Sequence, residues 1–172
     1  MIKNIIPGDI TSPKNKSDII IGMNSELGEL SALGRSVLKR NLPRRELLDL
    51  GTVLTFKFDD RRLIHMVICH HLGEGGWRFA DQYVRVGLDH LWLNPPARRK
   101  FSIVQIGKGA VGTRDGANSS SIHTAIASSY LPVDLYVYDD NKATVPKQNV
   151  AQLPALQMVQ GWNPKTGVLA VA

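Results

Sequence analysis

The chain has 172 residues, and 43% of them are hydrophobic, which is enough to bury one core of ordinary size but not two. Its single cysteine, Cys69, excludes an internal disulfide framework and a metal site built from several cysteines. The formal net charge of +6 favours anionic partners such as nucleotides, nucleic acid or acidic proteins.

Six segments rich in β-branched residues predict strands. Several of them are continuously apolar rather than alternating, a pattern typical of strands that are covered on both faces. In chain order they are KNIIP (3–7), DIIIGM (18–23), GTVLTFKF (51–58), RLIHMVICH (62–70), FSIVQI (101–106) and VDLYVY (133–138).

Three helices are predicted between these strands, from Ser25 to about Arg40, from about Arg78 to Trp92, and from about Asn118 to Ser129. In each segment the apolar residues recur at three- and four-residue spacing, which forms one apolar stripe on a helix. Alternation of strands and helices in this order predicts an α/β protein, a three-layer α/β/α domain with a mixed central sheet of about six strands.

The periodic pattern weakens after Tyr138. We therefore predict one domain over residues 1–138 and an extension over residues 139–172 that packs on the domain or is partly disordered. The extension has little periodicity and contains three prolines. No apolar segment approaches the length of a membrane span, so we expect a soluble, cytoplasmic protein without membrane contact.

A glycine motif, VQIGKGAVGT, occupies Val104 to Thr113 and matches the G-x-G-x-x-G spacing of a dinucleotide fingerprint. A Rossmann fold carries this fingerprint on its first strand and needs several strands after it, whereas one predicted strand follows here. A P-loop is excluded because Lys108 lies inside the turn. The motif is thus either a tight turn or a loop whose backbone N–H groups bind an anion.

Two further motifs follow the first two predicted strands. Gly8-Asp9-Ile10-Thr11 comes after the first, and Asn24 comes after the second. With the glycine motif they resemble the macro domain family: GDIT matches its adenine-binding motif, Asn24 the last asparagine of V-N-A-A-N, and Ile106 to Gly112 the I-G-T-G-x-x-G loop. The resemblance covers about Ile2 to Tyr138 and implies ADP-ribose or a related adenine nucleotide as ligand.

The resemblance implies a role for each motif. Asp9 would accept hydrogen bonds from the adenine amino group while the Ile10 N–H donates to the ring, and Asn24 would bind the distal ribose. The diphosphate would lie on the loop formed by Gly107, Lys108, Gly109, Ala110, Val111, Gly112 and Thr113. The alternatives are a turn cap for Asp9, a helix N-cap for Asn24 and a simple turn for the loop.

The layout is also similar to compact macro domains that remove ADP-ribose groups or process ADP-ribose phosphates. A hydrolase of ADP-ribosyl groups or of ADP-ribose 1″-phosphate is therefore an alternative, with Asn24 and His70 as candidate catalytic residues. The family's glycine run after the asparagine is missing, so we expect binding with slow or absent hydrolysis. We expect no metal and no cofactor, since His70 and its neighbour His71 would face opposite sides of a strand.

A further alternative is a degenerate macro fold that serves as a structural or nucleic-acid-binding module. This hypothesis rests on short basic groups at the predicted ends of elements, which form either solvated rims or contacts to phosphates. These groups are Lys39-Arg40, Arg44-Arg45, Arg61-Arg62 and Arg98-Arg99-Lys100.

Overall fold

The computed structural model describes residues 1–25, 48–73, 76–79, 81–94, 99–106, 119–137, 157–162 and 169–170. Within these ranges the chain forms nine strands and two helices. The strands are β1 (Ile2–Pro7), β2 (Asp18–Asn24), β3 (Val53–Lys57), β4 (Leu63–Gly73), β5 (Gly76–Phe79), β6 (Phe101–Val104), β7 (Val133–Val137), β8 (Gln157–Trp162) and β9 (Leu169–Ala170). The helices are α1 (Gln82–Leu93) and α2 (Ser119–Ser128).

All nine strands belong to one mixed sheet in the order β1-β7-β6-β2-β4-β3-β8-β9, with β5 paired to the end of β4. The first five strands of this order run parallel to one another. Strand β3 is antiparallel to both β4 and β8, and β9 is antiparallel to β8. We call the side on which β1, β7, β6, β2 and β4 end the carboxyl edge, and the opposite side the amino edge.

Both faces of the sheet bury apolar side chains, as the continuous apolar strands predict. On β2, for example, Ile19 and Ile21 belong to one core cluster while Ile20 belongs to the other. The two helices cover the Ile20 face with Val84, Leu88, Leu91, Ile122 and Ile126. On the other face, the crossover between β1 and β2 inserts Ile10, and Leu48 and Leu50 pack beside it.

The α/β class is confirmed, and the six predicted strands correspond to β1, β2, β3, β4, β6 and β7. The predicted number of about six is too low, because β5, β8 and β9 also join the sheet. Two of these additional strands, β8 and β9, lie in the segment 139–172. Strand β8 pairs along the whole of β3, from Val53↔Trp162 to Lys57↔Gln157.

The helix that was expected from Arg78 begins later, at Gln82. Residues 76–79 form β5 instead, since they pair with the end of β4 in a hairpin. The Asp81 side chain then accepts a hydrogen bond from the Gln82 N–H at 2.9 Å, which caps the helix start. The helix predicted over Asn118 to Ser129 is observed as α2, whereas the one predicted from Ser25 to Arg40 falls outside the described residues after Ser25.

Helix α1 runs back across the sheet toward the amino edge. Gly87 lies against β4 so closely that a Cβ there would be 2.6 Å from Cγ1 of Val67. Because α1 follows the hairpin at the end of β4 and precedes the start of β6, it descends from the carboxyl edge to the amino edge. Among the described residues, no helix is long and apolar enough to span a membrane.

Candidate functional site

The carboxyl edge contains the point at which the strand order reverses. From β2 the chain continues to β3 and β4 on one side, and from β6 it continues to β7 on the other. In open sheets with parallel strands, ligands bind in the crevice that forms at such a switch point. Here the crevice lies between the ends of β2 and β6, which are hydrogen-bonded neighbours.

The three sequence motifs all follow strands that end at this edge. Gly8 comes directly after β1, and its N–H donates to the carbonyl of Val137 at the end of β7 at 3.1 Å. Asn24 is the last residue of β2, and Gln105 and Ile106 follow β6. Two strands separate β1 from β2, so their ends are about 14 Å apart.

The Asp9 side chain forms a turn immediately after β1. Its Oδ1 accepts hydrogen bonds from the Thr11 N–H at 2.9 Å and from the Thr11 hydroxyl at 2.7 Å. This is the capping role that the sequence left open for Asp9. The carboxylate is half-buried, so the turn holds it at the rim of the carboxyl edge with part of its surface in solvent.

Ile10 anchors this turn in the core. Its side chain is buried against the Ile19 face of the sheet. Its carbonyl accepts a hydrogen bond from Nδ2 of Asn15 at 2.8 Å, and the same amide donates to the Ser102 hydroxyl at 2.9 Å. The position of Asp9 is therefore fixed from below by buried contacts rather than by the loop alone.

At the end of β2, Asn24 pairs with His70 on β4. The next residue, Ser25, donates its N–H to the His70 carbonyl at 2.6 Å and accepts from the Leu48 N–H at 2.6 Å. The His70 side chain is fully buried. The alternative helix N-cap role of Asn24 depends on residues after Ser25, which lie outside the described ranges.

The loop from Gly107 to Thr113 also lies outside the described residues, and Gln105 and Ile106 lead into it from β6. Ile106 is buried, and its N–H donates to the Val104 carbonyl at 2.8 Å. Its side chain packs on Gly22 of β2, where a Cβ would be 2.8 Å from Cγ2 of Ile106 and 3.0 Å from Sγ of Cys69. Glycine at position 22 thus permits the loop to start directly beside β2.

Cys69 lies beneath this contact and is fully buried. Burial raises the pKa of its thiol to about 12, so the sulfur stays protonated at neutral pH and is not a nucleophile. In the described part of the chain, no group of three or more histidine, cysteine, aspartate or glutamate side chains is arranged to hold a metal ion.

A buried polar network at the amino edge was not predicted from the sequence. Its centre is Asp18 at the start of β2, which is 2% exposed. The carboxylate binds Arg99 through two nitrogens, at 2.5 Å (Nε) and 2.6 Å (Nη2), and it accepts the Leu63 N–H at 2.8 Å. It also contacts Nε2 of His65 at 3.0 Å, and Nδ1 of the same ring lies 2.8 Å from the Thr55 hydroxyl.

The Thr55 hydroxyl, the His65 imidazole and the Asp18 carboxylate lie in series, as in the catalytic triad of a hydrolase, but their burial excludes a catalytic role. Thr55 is 1% exposed, so no substrate reaches its hydroxyl. Burial raises the pKa of Asp18, yet the hydrogen bonds from His65, Arg99 and the Leu63 N–H outweigh burial and hold the pKa below its usual value. The network is therefore a clasp that joins the starts of β2, β4 and β6, and we call it the Asp18 clasp.

A signal for the clasp was present in the sequence. Asp18 begins a strand, and His65 interrupts another, whose neighbouring residues are apolar and covered on both faces, and a buried polar group without a partner is costly. Each residue therefore had to find a partner inside the protein. The pattern could not say which one, because Arg99 lies 81 positions from Asp18 along the chain.

The buried side chain of His90 should make the stability of the protein depend on pH. Burial, and then the charge of His65, lower the pKa of His90 from 6.5 to about 4. Between these values the unfolded chain binds a proton at this residue and the folded chain does not, so stability is lost as the pH falls from 6.5 toward 4. In His90→Gln, the free energy of unfolding should therefore fall by about 2 kcal/mol less over this pH range than in the wild type, after allowance for solvent screening.

Urea unfolding at pH 7.0 and 4.5 measures this difference. His123→Gln, at an exposed position on α2, is the matched control for the loss of one histidine. Equal pH dependence in the wild type and in His90→Gln would contradict the assignment.

Comparison with known proteins supports the fold alone. No family model matches the chain, and no curated protein matches it. A solved structure of a protein of unknown function from Bacteroides thetaiotaomicron is similar, with a TM-score of 0.56, 20% sequence identity, and coverage of 79% of this chain and 97% of that one. A second crystal structure from the same organism matches with a TM-score of 0.56 and 19% identity over 77% and 97% of the two chains.

Proposed function

We propose that this chain is a macro-like domain that binds ADP-ribose, or a related adenine nucleotide, along its carboxyl edge. The proposal includes the three-layer α/β/α arrangement. The observation that carries it is the common location of three motifs, since the GDIT turn, Asn24 and the start of the glycine loop all follow strands that end at this edge. In the proposed complex the adenine lies by β1 and the distal ribose by β2.

The geometry of the Asp9 turn favours an adenine contact in addition to the capping role. Both hydrogen bonds from Thr11 go to Oδ1, which fixes the orientation of the carboxylate. We propose that this carboxylate also accepts a hydrogen bond from the exocyclic amino group of adenine. A carboxylate that is held by its own turn needs little reorganisation when the ligand binds, and this lowers the entropic cost of binding.

The diphosphate would lie at the switch point, where Ile106 leads into the glycine loop beside β2. Backbone N–H groups at such a position favour an anion. Hydrolysis is not part of the proposal, because the His70 side chain, the histidine considered for catalysis, is fully buried. Asn24 alone would position the ribose without providing a base.

The sharpest test exchanges Asp9 for asparagine. Asparagine can keep the bonds from Thr11 to Oδ1, but it then presents an amide donor where the carboxylate presented an acceptor. We expect Asp9→Asn to weaken ADP-ribose binding roughly 10- to 100-fold, because a hydrogen bond to a charged group contributes about 1.5–3 kcal/mol. Isothermal titration calorimetry with ADP-ribose measures the change.

Thr11→Ala is the matched control, since it removes a bond to the same carboxylate without changing the charge of Asp9. It should lower thermal stability slightly and keep the ADP-ribose affinity within about threefold of the wild type, well below the tenfold that corresponds to 1.4 kcal/mol. Equal affinity in Asp9→Asn and the wild type would remove Asp9 from the site. Absence of ADP-ribose binding by the wild type would refute the proposed function.

A further inference from the structure

The amino edge, on the opposite side of the sheet from the proposed nucleotide site, carries a row of exposed basic residues. Lys100 precedes β6, Lys16 precedes β2 and Arg61 precedes β4, and these three strands are neighbours in the sheet. Lys14 lies in the turn before Lys16. We call Lys14, Lys16, Arg61 and Lys100 the cation row, and all four side chains are exposed.

Hydrogen bonds to their backbone carbonyls hold two members of the cation row, Lys100 and Arg61, in place. The Lys100 carbonyl accepts from the Asp18 N–H at 2.8 Å, and the Arg61 carbonyl accepts from Nη2 of Arg99 at 2.7 Å. Neighbouring strands are about 4.8 Å apart. Cations repeat along the edge at a spacing of the same order as that of successive phosphates in a single nucleic-acid strand.

The acids at this edge do not neutralise the row. Asp18 is bound by Arg99, Asp59 by Arg62 at 2.7 Å, and Asp60 lies 3.7 Å from Lys57. Within the described ranges, no acid forms an ion pair with any member of the cation row. The row therefore presents a local excess of positive charge on a protein whose net charge is already +6.

Exposed aromatic rings flank the same edge. Tyr130, which is 63% exposed, lies between α2 and β7, and β7 is the strand next to β6. Trp92, which is 47% exposed, lies at the end of α1, the helix that descends toward this edge. Cations that follow a phosphate backbone, combined with aromatic rings on which bases stack, are the elements of a single-strand binding surface.

We propose that the amino edge binds single-stranded nucleic acid, with phosphates along the cation row and a base stacked on Tyr130. An anionic membrane or an acidic protein would use the cations but would gain no base stacking from the ring. The surface is independent of the proposed nucleotide site, since the two lie at opposite ends of the parallel strands. A single chain can therefore hold ADP-ribose at one edge and a nucleic-acid strand at the other.

The test measures fluorescence anisotropy of a labelled oligodeoxythymidine of about 12 nucleotides at several salt concentrations. With four phosphate contacts, the slope of log K against log salt should be about −3 for the full chain. The triple variant Lys16→Gln, Lys100→Gln and Arg61→Gln should flatten the slope by about 2 and weaken binding roughly 50-fold near 0.15 M salt. Tyr130→Ala should weaken binding about tenfold without changing the slope.

A matched control separates a local surface from overall charge. Gln82→Glu, His123→Glu and Thr124→Glu together lower the net charge from +6 to +3, as the triple variant does, but they lie on the exposed sides of the helices. This control should retain nearly full affinity. Equal losses in control and triple variant, or no oligonucleotide binding by the wild type, would overturn the proposal.

Two further measurements identify the partner and distinguish this surface from the proposed nucleotide site. Vesicles with phosphatidylserine should bind more weakly than the oligonucleotide, and vesicle binding that matches the oligonucleotide and is unaffected by Tyr130→Ala would identify a membrane surface instead. ADP-ribose affinity should be the same in the triple variant and the wild type. If the wild type binds ADP-ribose but not the oligonucleotide, this proposal fails while the proposed function stands. If it binds the oligonucleotide but not ADP-ribose, the proposed function fails while this proposal stands.

Discussion

Asp18→Asn is expected to lower the free energy of unfolding by about 3–5 kcal/mol. The substitution keeps the shape of the buried Asp18 side chain and removes its charge, which leaves the half-buried Arg99 guanidinium without its counter-charge. In either orientation of the new side chain, its amide nitrogen faces a nitrogen of Arg99, and both of these groups are donors. Urea unfolding at pH 7, followed by circular dichroism, gives the change directly.

The control for Asp18 is Asp60, an acid at the same edge that is fully exposed and lies 3.7 Å from Lys57. Exposed ion pairs contribute little to stability, so Asp60→Asn should unfold at the wild-type urea concentration within error. A loss in Asp18→Asn no larger than that in Asp60→Asn would show that the Asp18 clasp does not hold the strands together.

Much of the sheet was predictable because the signal is local. Strand β2, for instance, is a continuous apolar run bounded by Asp18 and Asn24, and both bounds are read directly from the sequence. Strand β5 was missed because Gly76–Phe79 is short and becomes a strand only by pairing with the end of β4. Strand β8 likewise depends on a partner, β3, that lies about a hundred residues earlier in the chain.

The candidate sites also divide into those with a local sequence signal and those that depend on distant strand pairing. Motif spacing predicted Asp9 and Asn24 as site residues, and the sheet brings the ends of β1 and β2 to one edge. The Asp18 clasp and the cation row depend instead on which strands become neighbours. Lys16 and Lys100 are 84 positions apart in sequence and flank adjacent strands only because β6 pairs with β2. Sequence groups such as Arg61-Arg62 indicated basic rims but could not show that Asp59 neutralises one member and leaves the other exposed.

The close packing of Ile106 on Gly22 leads to the second prediction of large effect. Gly22→Val is expected to lower the free energy of unfolding by about 3 kcal/mol, because a Cβ alone would lie 2.8 Å from Ile106 and 3.0 Å from Cys69. Ile106 would have to move, and with it the start of the glycine loop. If the loop N–H groups bind the diphosphate, loss of one or two charge-assisted hydrogen bonds should weaken ADP-ribose binding about 100-fold.

Gly87→Val is the matched control for this prediction, since its Cβ would approach Val67 to 2.6 Å and Val53 to 3.3 Å, contacts that do not involve Ile106. Gly87→Val should lower the free energy of unfolding as much as Gly22→Val does. The folded variant should nevertheless bind ADP-ribose with an affinity within about threefold of the wild type, a difference in binding free energy of less than 1.4 kcal/mol. The milder Gly22→Ala, with one methyl group against the same neighbours, should fall between Gly22→Val and the wild type in both measurements. If both valine variants lose affinity equally, the loss reflects stability alone. In that case Gly22 does not position the loop, and the diphosphate does not bind where β6 meets β2.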